Sequence, residues 1–224
     1  MASRYGRDTL EGRVTLLRKG AEADIYLRSW HGHKIIVKER VRKSYRLDEI
    51  DTALRSSRTV HEAQLIHEAK RSGVPTPTIY QVDKEGAVIA MEYVEGRRLK
   101  ELLAESAPRE RVEACRKIGE MIARLHKRNI IHGDLTTSNM IAVEEGKVFL
   151  IDFGLGFFSD KLEDRGVDLH LIKRALNSTH HRFFNSCYRA VREGYARVAG
   201  EERADAVFKK VNEVEKRGRY SERA

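Results

Sequence analysis

The sequence predicts an α+β fold of two lobes, in which a small N-terminal β-sheet with one main helix precedes a mainly helical C-terminal lobe. Three observations predict this fold. Short strand-like runs occupy the beginning of the chain, one long helical stretch interrupts them, and helix-periodic sequence takes over after Gly96. We place the boundary near residues 95–98, which predicts an N-terminal lobe of residues 1–95 and a C-terminal lobe of residues 96–224 that ends in a basic tail.

Three strands and a helix are predicted at the start of the chain. Residues 14–17, 25–27 and 35–37 are apolar runs separated by short breaks, which is typical of a β-meander. Residues 56–71 contain no proline or glycine, and their apolar positions share one helical face. Strands at residues 78–82 and 87–94 complete the lobe.

The C-terminal lobe is predicted from helical periodicity and one hairpin. Residues 109–128 carry apolar side chains at helical spacing. Two short apolar runs, residues 140–143 and 148–151, flank a glycine-containing turn and predict a β-hairpin. About three helices should follow from Asp168, and residues 215–224 form a charged tail that we expect to be frayed or disordered.

Composition limits the class of protein. The 224 residues are 41% hydrophobic and carry a formal net charge of +9, which allows a sizeable core and favours a polyanionic partner such as nucleic acid. Cys115 and Cys187 are too widely spaced to indicate a zinc site or a disulfide framework. The first 20 residues lack the apolar run of a signal peptide, and no stretch reaches membrane-spanning length. We therefore expect a cytoplasmic protein with no membrane partner.

The strongest chemical signal is a pair of motifs on either side of the predicted hairpin. Residues 131–139, Ile-His-Gly-Asp-Leu-Thr-Thr-Ser-Asn, precede it, and residues 151–154, Ile-Asp-Phe-Gly, follow it. Both resemble protein kinase signatures, in which Asp134 would orient the attacking hydroxyl and Asn139 and Asp152 would bind magnesium. The simpler alternative is that the aspartates cap turns. The order and spacing of the two motifs favour the catalytic interpretation, whereas His132 is predicted to be structural.

Lys38 ends the third predicted strand, where kinases place the lysine that holds the ATP phosphates. That lysine needs a glutamate on the following helix. Glu62 shares a face with the apolar residues and Glu68 does not, so we predict a pair of Lys38 and Glu62. The alternative is an exposed helix charge.

Two weaker signals concern the nucleotide. Residues 91–96 occupy the position of the kinase hinge, so Met91, and the main chains of Glu92 and Val94, are candidates to contact adenine. The usual Gly-x-Gly-x-x-Gly is missing, and a loop with one glycine takes its place. The candidate phosphate-loop residues are Gly20, Ala21, Glu22 and Ala23.

Further departures disfavour a conventional protein kinase. Gly133 replaces the arginine that would pair with a phosphorylated activation loop, and no Ala-Pro-Glu follows residue 154. With these departures, the chain resembles the small atypical kinase subunit of the KEOPS complex, which works in threonylcarbamoyl-adenosine modification of transfer RNA. The blocks that carry the resemblance are residues 20–23, 37–40, 42–46, 58–63, 73–77, the catalytic loop and residues 151–155.

The resemblance implies a magnesium-dependent ATPase and atypical serine/threonine kinase that uses ATP and Mg²⁺. Its implied partners are the threonylcarbamoyl-transfer catalytic subunit, other KEOPS subunits and transfer RNA, which is modified at position 37. Two basic clusters could contact RNA phosphates. One consists of Arg40, Arg42, Lys43 and Arg46, and the other of Lys209, Lys210, Lys216, Arg217 and Arg219. A solvated helix face is the alternative for the second cluster.

Other functions stay open at this point. The chain could be a non-catalytic, ATP-binding adaptor of the complex, although it has the complete set of Lys38, Asp134, Asn139 and Asp152. It could also be an atypical kinase of ribosome maturation of the RIO type, which the loop at residues 20–23 disfavours. A small-molecule kinase of the aminoglycoside type is disfavoured by the short helical lobe.

Overall fold

The computed structural model of the protein describes residues 14–221, except for the side chains of Glu145 and residues 218–221. These residues form two compact units. The first runs to His67 and includes Pro77–Val94, and the second comprises Glu68–Thr76 and the chain from Glu95 onward. Residues 68–76, which the sequence placed in the N-terminal lobe, join the second unit because Arg124 donates to the Gly73 carbonyl and Leu150 N–H to the Pro75 carbonyl, both at 2.9 Å.

The first unit contains a five-stranded antiparallel sheet in the order β1-β2-β3-β5-β4. The predicted meander and the two later strands are confirmed. Strand β3 lies in the middle, and its Lys38 is paired with Ile25 on one side and Ile89 on the other. The strands are β1 (Thr15–Arg18), β2 (Ala23–Trp30), β3 (His33–Arg40), β4 (Ile79–Asp83) and β5 (Val88–Glu92).

Helix α1 (Asp48–Arg71) begins eight residues before the predicted start at residue 56. Apolar periodicity indicated only the half of the helix that contributes Leu65 and Ile66 to the core. Polar contacts anchor the earlier half: the buried carboxylate of Asp51 accepts from Arg55 Nε at 2.7 Å and from the N–H of Lys43 at 3.2 Å. Acidic residues in the first turn also favour this helix start.

The second unit is mainly helical, as predicted. Helices α3 and α5 cross closely because each has a glycine that faces the backbone of the other helix. A Cβ on Gly119 would lie 2.0 Å from the Val191 carbonyl oxygen, and one on Gly194 would lie 1.9 Å from that of Arg116. The helices are α2 (Leu99–Glu105), α3 (Pro108–Lys127), α4 (Leu162–Thr179), α5 (Phe184–Ala199) and α6 (Glu201–Ser221). Within residues 14–221, no helix combines the length and apolar character needed to cross a bilayer.

Short strands position the loops of the second unit. The predicted hairpin forms between β8 (Met140–Ala142) and β9 (Val148–Leu150), and β6 (Arg97–Arg98) pairs with β8. Strand β7 (Ile130–Ile131) pairs antiparallel with β10 (Phe157–Phe158). The segment after Phe153 and Gly154 therefore folds back onto the start of the catalytic loop.

The prediction of a frayed tail from residue 215 is wrong for the described part, because α6 is helical to Ser221. Residues 222–224 lie outside the described residues. Buried apolar residues at helical spacing, such as Ala204, Phe208 and Val211, hold the helix against its neighbours. Ion pairs with α4 continue this attachment, since Glu215 accepts from Lys173 at 3.0 Å.

Candidate active site

The catalytic loop is organised around Asp134 and Asn139. The side-chain amide of Asn139 donates to Asp134 Oδ2 at 2.8 Å and to the Asp134 main-chain carbonyl at 3.0 Å. Both of its donor hydrogens are thereby used, and within the described residues Asn139 Oδ1 accepts no hydrogen bond. One amide thus fixes the orientation of the aspartate and keeps its own oxygen as a candidate metal ligand.

The hairpin register brings the second motif beside the first. Met140 opens β8 directly opposite Leu150, the last residue of β9, and the N–H of Ile151 donates to the Asn139 carbonyl at 2.9 Å. Asp152 follows with φ of 65°, a left-handed conformation that is uncommon for a residue with a side chain. Such conformations cluster at functional sites, where the surrounding structure maintains them.

His132 connects the two motifs from inside the protein. Its ring is fully buried, and one face lies 4.6 Å from the Phe153 ring between centroids. Nε2 donates to the Ile151 carbonyl at 3.2 Å, and Nδ1 accepts the N–H of Asp134 at 3.2 Å. Burial lowers the pKa of His132, which keeps the ring neutral in this arrangement. His132 therefore has a structural role.

Asp168 supports the loop, and the sequence reasoning missed this role. Its completely buried carboxylate on α4 accepts the N–H groups of His132 and Gly133, each at 2.9 Å, and lies 3.3 Å from His126 Nε2. Hydrogen bonds of this kind offset the cost of burying a carboxylate. The available signal was an aspartate on the apolar face of α4, next to Leu169 and one turn before Ile172.

The structure gives a reason for glycine at position 133. Gly133 has φ of 77°, and a Cβ there would lie 2.3 Å from the Leu155 carbonyl oxygen. The folded-back segment after Gly154 thus occupies the space that a side chain would need. An arginine does not fit at this position.

In the first unit, Glu62 lies between two cations. Its Oε1 accepts from Lys38 Nζ at 2.5 Å, and its Oε2 accepts from Arg40 Nη2 at 2.6 Å. All three side chains are buried, Glu62 to 1% exposure. The predicted pairing of Lys38 with Glu62 is present, and Glu68 pairs with Arg71 instead. Arg40, the second partner, was not predicted.

The loop at residues 20–23 forms a tight turn held by side chains around it. The N–H of Gly20 donates to Asp24 Oδ1 at 3.1 Å, and a Cβ on Gly20 would lie 2.4 Å from the Ala23 carbonyl oxygen. Glu22 pairs with Arg58 of α1 at 2.7 Å, and Lys43 donates to the Ala21 carbonyl. The single glycine therefore serves the turn, and contacts to α1 and to the segment after β3 fix the rest.

The hinge candidates differ in what they can offer a nucleotide. Met91 packs in the core cluster with Ala63 and Ile89, and Val94 is also buried. The N–H of Glu92 donates to the Thr78 carbonyl at 2.8 Å. Because this N–H is already hydrogen-bonded, the main-chain carbonyl of Glu92 is the group that could accept a hydrogen bond from adenine.

Comparison with known proteins identifies the family. Residues 19–170 match the protein kinase domain. The chain is 48% identical over 217 residues to the KEOPS complex subunit Bud32 of Pyrococcus abyssi, and the match covers 94% of this chain and 98% of that protein. The chain belongs to the Bud32 family of protein kinase domains.

Other relatives are larger than this member of the Bud32 family. It is 47% identical to a probable bifunctional tRNA threonylcarbamoyladenosine biosynthesis protein of Methanothermobacter thermautotrophicus and 43% identical to the one of Methanosarcina acetivorans. Each match covers 92% of this chain but only 37% and 35% of those proteins. The chain therefore spans about a third of the bifunctional relatives.

In this Bud32-family chain, the basic cluster after β3 is engaged internally. Arg40 pairs with Glu62, Arg42 with Asp48, and Arg46 with Asp51 at 3.6 Å. Lys43 Nζ donates to the Ala21 carbonyl. Arg40 and Arg46 thus serve ion pairs with buried carboxylates of the first unit, whereas Arg42 is exposed, and contact of this cluster with RNA stays a prediction.

The C-terminal cluster is divided. Lys210 contacts Glu213 at 2.5 Å and Glu163 at 3.5 Å, and Arg217 pairs with Glu163. Lys209 and Lys216 are exposed. The side chain of Arg219 lies outside the described residues.

The donor set of the second unit suits magnesium. Asp152 offers a carboxylate and Asn139 an amide oxygen, which are the hard oxygen ligands that Mg²⁺ prefers. The described residues contain no cluster of three or more His, Cys, Asp or Glu arranged for a metal. A magnesium ion carried by nucleotide phosphates needs no such cluster, because one or two protein ligands suffice.

Proposed function

We propose that the chain is a magnesium-dependent ATPase and atypical serine/threonine kinase of the KEOPS complex, in the cytoplasm, that supports threonylcarbamoyl-adenosine modification of transfer RNA. The observation that carries the proposal is the hydrogen-bonded pair of Asp134 and Asn139, which the hairpin joins to the segment that carries Asp152. Identity of 48% to a KEOPS subunit over nearly the whole chain supports the assignment to that complex.

The residues of the two units have different proposed roles. Lys38, held by Glu62, supplies positive charge for the ATP phosphates, and the loop at residues 20–23 and the hinge segment at residues 91–94 contribute main-chain contacts. Asn139 and Asp152 would hold Mg²⁺, which would supply positive charge against the phosphoryl group. Asp134 orients a water or hydroxyl for attack, and Asn139 keeps its carboxylate in place.

The segment between Gly154 and α4 favours an acceptor other than a free peptide. Only seven residues separate Gly154 from Leu162, and two of them form β10 against β7. This leaves no length for a peptide-binding platform. Gly133 also removes the arginine that would respond to loop phosphorylation. Water, or a group presented by a partner, is therefore the acceptor that the proposal favours.

The proposed partners are the threonylcarbamoyl-transfer catalytic subunit, other KEOPS subunits and transfer RNA. The bifunctional relatives support this choice, because their matching third is joined to a further segment in one chain named for threonylcarbamoyladenosine biosynthesis.

The test is a measurement of ATP turnover with magnesium, with and without transfer RNA and the catalytic subunit. We expect turnover that responds to both partners and that falls about 10²- to 10⁴-fold in Asp134→Ala, since loss of a positioned base has effects of this size. Asp205→Ala, an exposed carboxylate on α6, is the matched control and should leave turnover unchanged. No turnover in any condition would favour the adaptor, and turnover indifferent to both partners would remove the support for a KEOPS role.

A further inference from the structure

A polar cavity lies in the second unit, and Asp134, Asn139 and Asp152 are not among its lining residues. It has a volume of about 360 Å³ and is formed by α3, α4, α5 and α6. This volume is within the range of small-molecule pockets, about 300–1,000 Å³. Its polar lining residues are His126, Lys127, Asn129, Arg165, Tyr195 and Arg203.

The lining carries three cations and no carboxylate. Lys127 and Arg203 are exposed and form no ion pair within residues 14–217. Arg165 donates to Asn129 Oδ1 at 2.8 Å, and its buried Nε has no partner in the described part of the chain. The pocket is therefore positively charged.

The acidic neighbours of Arg165 are engaged elsewhere. Glu163 is used by Arg217 and Lys210, and Asp164 accepts from the Ser159 hydroxyl at 2.5 Å. Burial raises the pKa of Tyr195 to about 12, whereas the charges of Arg165 and Arg203 act to lower it. Tyr195, Arg165 and Arg203 all line the pocket.

A chain of buried hydrogen bonds leads from this wall to the catalytic loop. The Tyr195 hydroxyl lies 3.0 Å from His126 Nδ1, and His126 Nε2 lies 3.3 Å from Asp168 Oδ2. Asp168 in turn accepts the N–H groups of His132 and Gly133. With the proton on Nε2, every link has one donor and one acceptor. The loop that carries Asp134 is thus connected to the pocket by side chains that have little freedom to move.

We propose that this pocket binds the phosphate group of a nucleotide unit and that its occupancy stabilises the catalytic loop through Tyr195, His126 and Asp168. Arginine and lysine are the side chains that recognise phosphate, and Lys127, Arg165 and Arg203 all line this pocket. The phosphate could belong to an RNA strand or to a free nucleotide or phosphate ion. Neither part of the proposal depends on the ATPase assignment.

The first test measures binding of a fluorescently labelled transfer RNA transcript as a function of salt. The double variant Lys127→Gln/Arg203→Gln should bind about tenfold more weakly and should reduce the salt slope by about 1 to 2. Lys100→Gln/Arg109→Gln removes the same charge from exposed positions on α2 and α3 and is the matched control. Equal losses in both double variants would overturn the pocket as an RNA site. Competition of the transcript by inorganic phosphate or AMP would assign the pocket to the free phosphate group.

The second test measures amide hydrogen exchange of residues 130–136 in the full chain. Addition of the transcript, or of AMP, should slow exchange there several-fold in the wild type. Tyr195→Phe keeps the ring and removes only the hydroxyl, and it should bind the ligand while the slowing is lost. Equal slowing in the variant would overturn the coupling. Loss of binding in the variant, with an unchanged melting temperature, would place the hydroxyl in the phosphate site and overturn its role as a link.

Discussion

The charged side chains of the proposed site differ between the two units in their burial and in their net charge. In the first unit, one carboxylate, Glu62, lies between Lys38 and Arg40, and all three side chains are buried. In the second unit, Asp134 and Asp152 are only partly buried. The first arrangement has an excess of positive charge, which suits phosphates, and the second has an excess of negative charge, which suits a metal ion. The net charge of each arrangement is thus opposite to that of its proposed ligand.

The supports of the two arrangements also differ. Side-chain ion pairs hold Lys38, whereas backbone N–H groups and hydrogen bonds of Asp168, His132 and Asn139 hold the catalytic loop. Loss of one ion pair changes the contacts of two side chains, whereas loss of a loop support changes the conformation of the loop backbone. We therefore expect variants of the loop supports to cost more stability than variants of the first unit's cluster.

The largest effect is expected from Asp168→Asn. An asparagine offers one oxygen, so at least one of the N–H groups of His132 and Gly133 would face an NH₂ group. Loss of charged hydrogen bonds in a buried site should lower the free energy of unfolding by about 3–5 kcal/mol and reduce ATP turnover. Urea denaturation measures the first effect. Asp205→Asn, an exposed carboxylate paired with Arg192, should change stability by less than about 1 kcal/mol, and a similar loss in both variants would contradict the account.

Gly133→Ala should come next. The new Cβ meets the Leu155 carbonyl at 2.3 Å and the residue has positive φ, so we expect a loss of roughly 2–4 kcal/mol. Gly200→Ala isolates the conformational part, because Gly200 has φ of 88° with no atom within 4 Å of the added carbon. Thermal denaturation should show a larger loss at position 133. Equal losses would mean that the contact with Leu155 is unimportant.

Arg40→Gln breaks the cluster of the first unit. Glu62 would keep only Lys38, and we expect a stability loss of about 1–3 kcal/mol. Because Lys38 would be less firmly positioned, KM for ATP should rise more than kcat falls. Arg42→Gln removes a cation from an exposed pair with Asp48 and should change both quantities little. An unchanged KM in Arg40→Gln would contradict its positioning role.

The smallest effect concerns pH. Burial lowers the pKa values of His132, His170 and His180, so near and below pH 6.5 the unfolded chain binds more protons than the folded one. Stability should therefore be complete above about pH 7 and should fall as the pH drops toward 5. His132→Gln should reduce the loss of stability between pH 7 and pH 5 by about 1 kcal/mol. His67→Gln, an exposed control, should leave this loss unchanged. A slope that is the same in all three proteins would rule out His132 as a contributor.

Much of the fold and part of the candidate site could be predicted from the sequence. The succession of three strands, a helix and two strands, the hairpin, and the pairing of Lys38 with Glu62 follow from apolar periodicity and from motif spacing. The first half of α1 and the end of α6 could not, because polar contacts such as that of Asp51 with Arg55, and of Glu215 with Lys173, hold them. Asp168 and Arg40 were also missed. Each acts on a residue far away in sequence, and only the fold shows that the two meet.

The magnesium dependence of ATP binding tests the central claim most directly. The claim is that the carboxylates of Asp134 and Asp152 leave the catalytic loop region with an excess of negative charge, and that Mg²⁺ held by Asn139 and Asp152 would offset it. Calorimetric titration of Mg²⁺ into the protein with saturating ATP should show at least tenfold weaker magnesium binding in Asp152→Asn than in the wild type. Arg42→Gln should bind Mg²⁺ as the wild type does. Wild-type affinity for Mg²⁺ in Asp152→Asn would contradict the account.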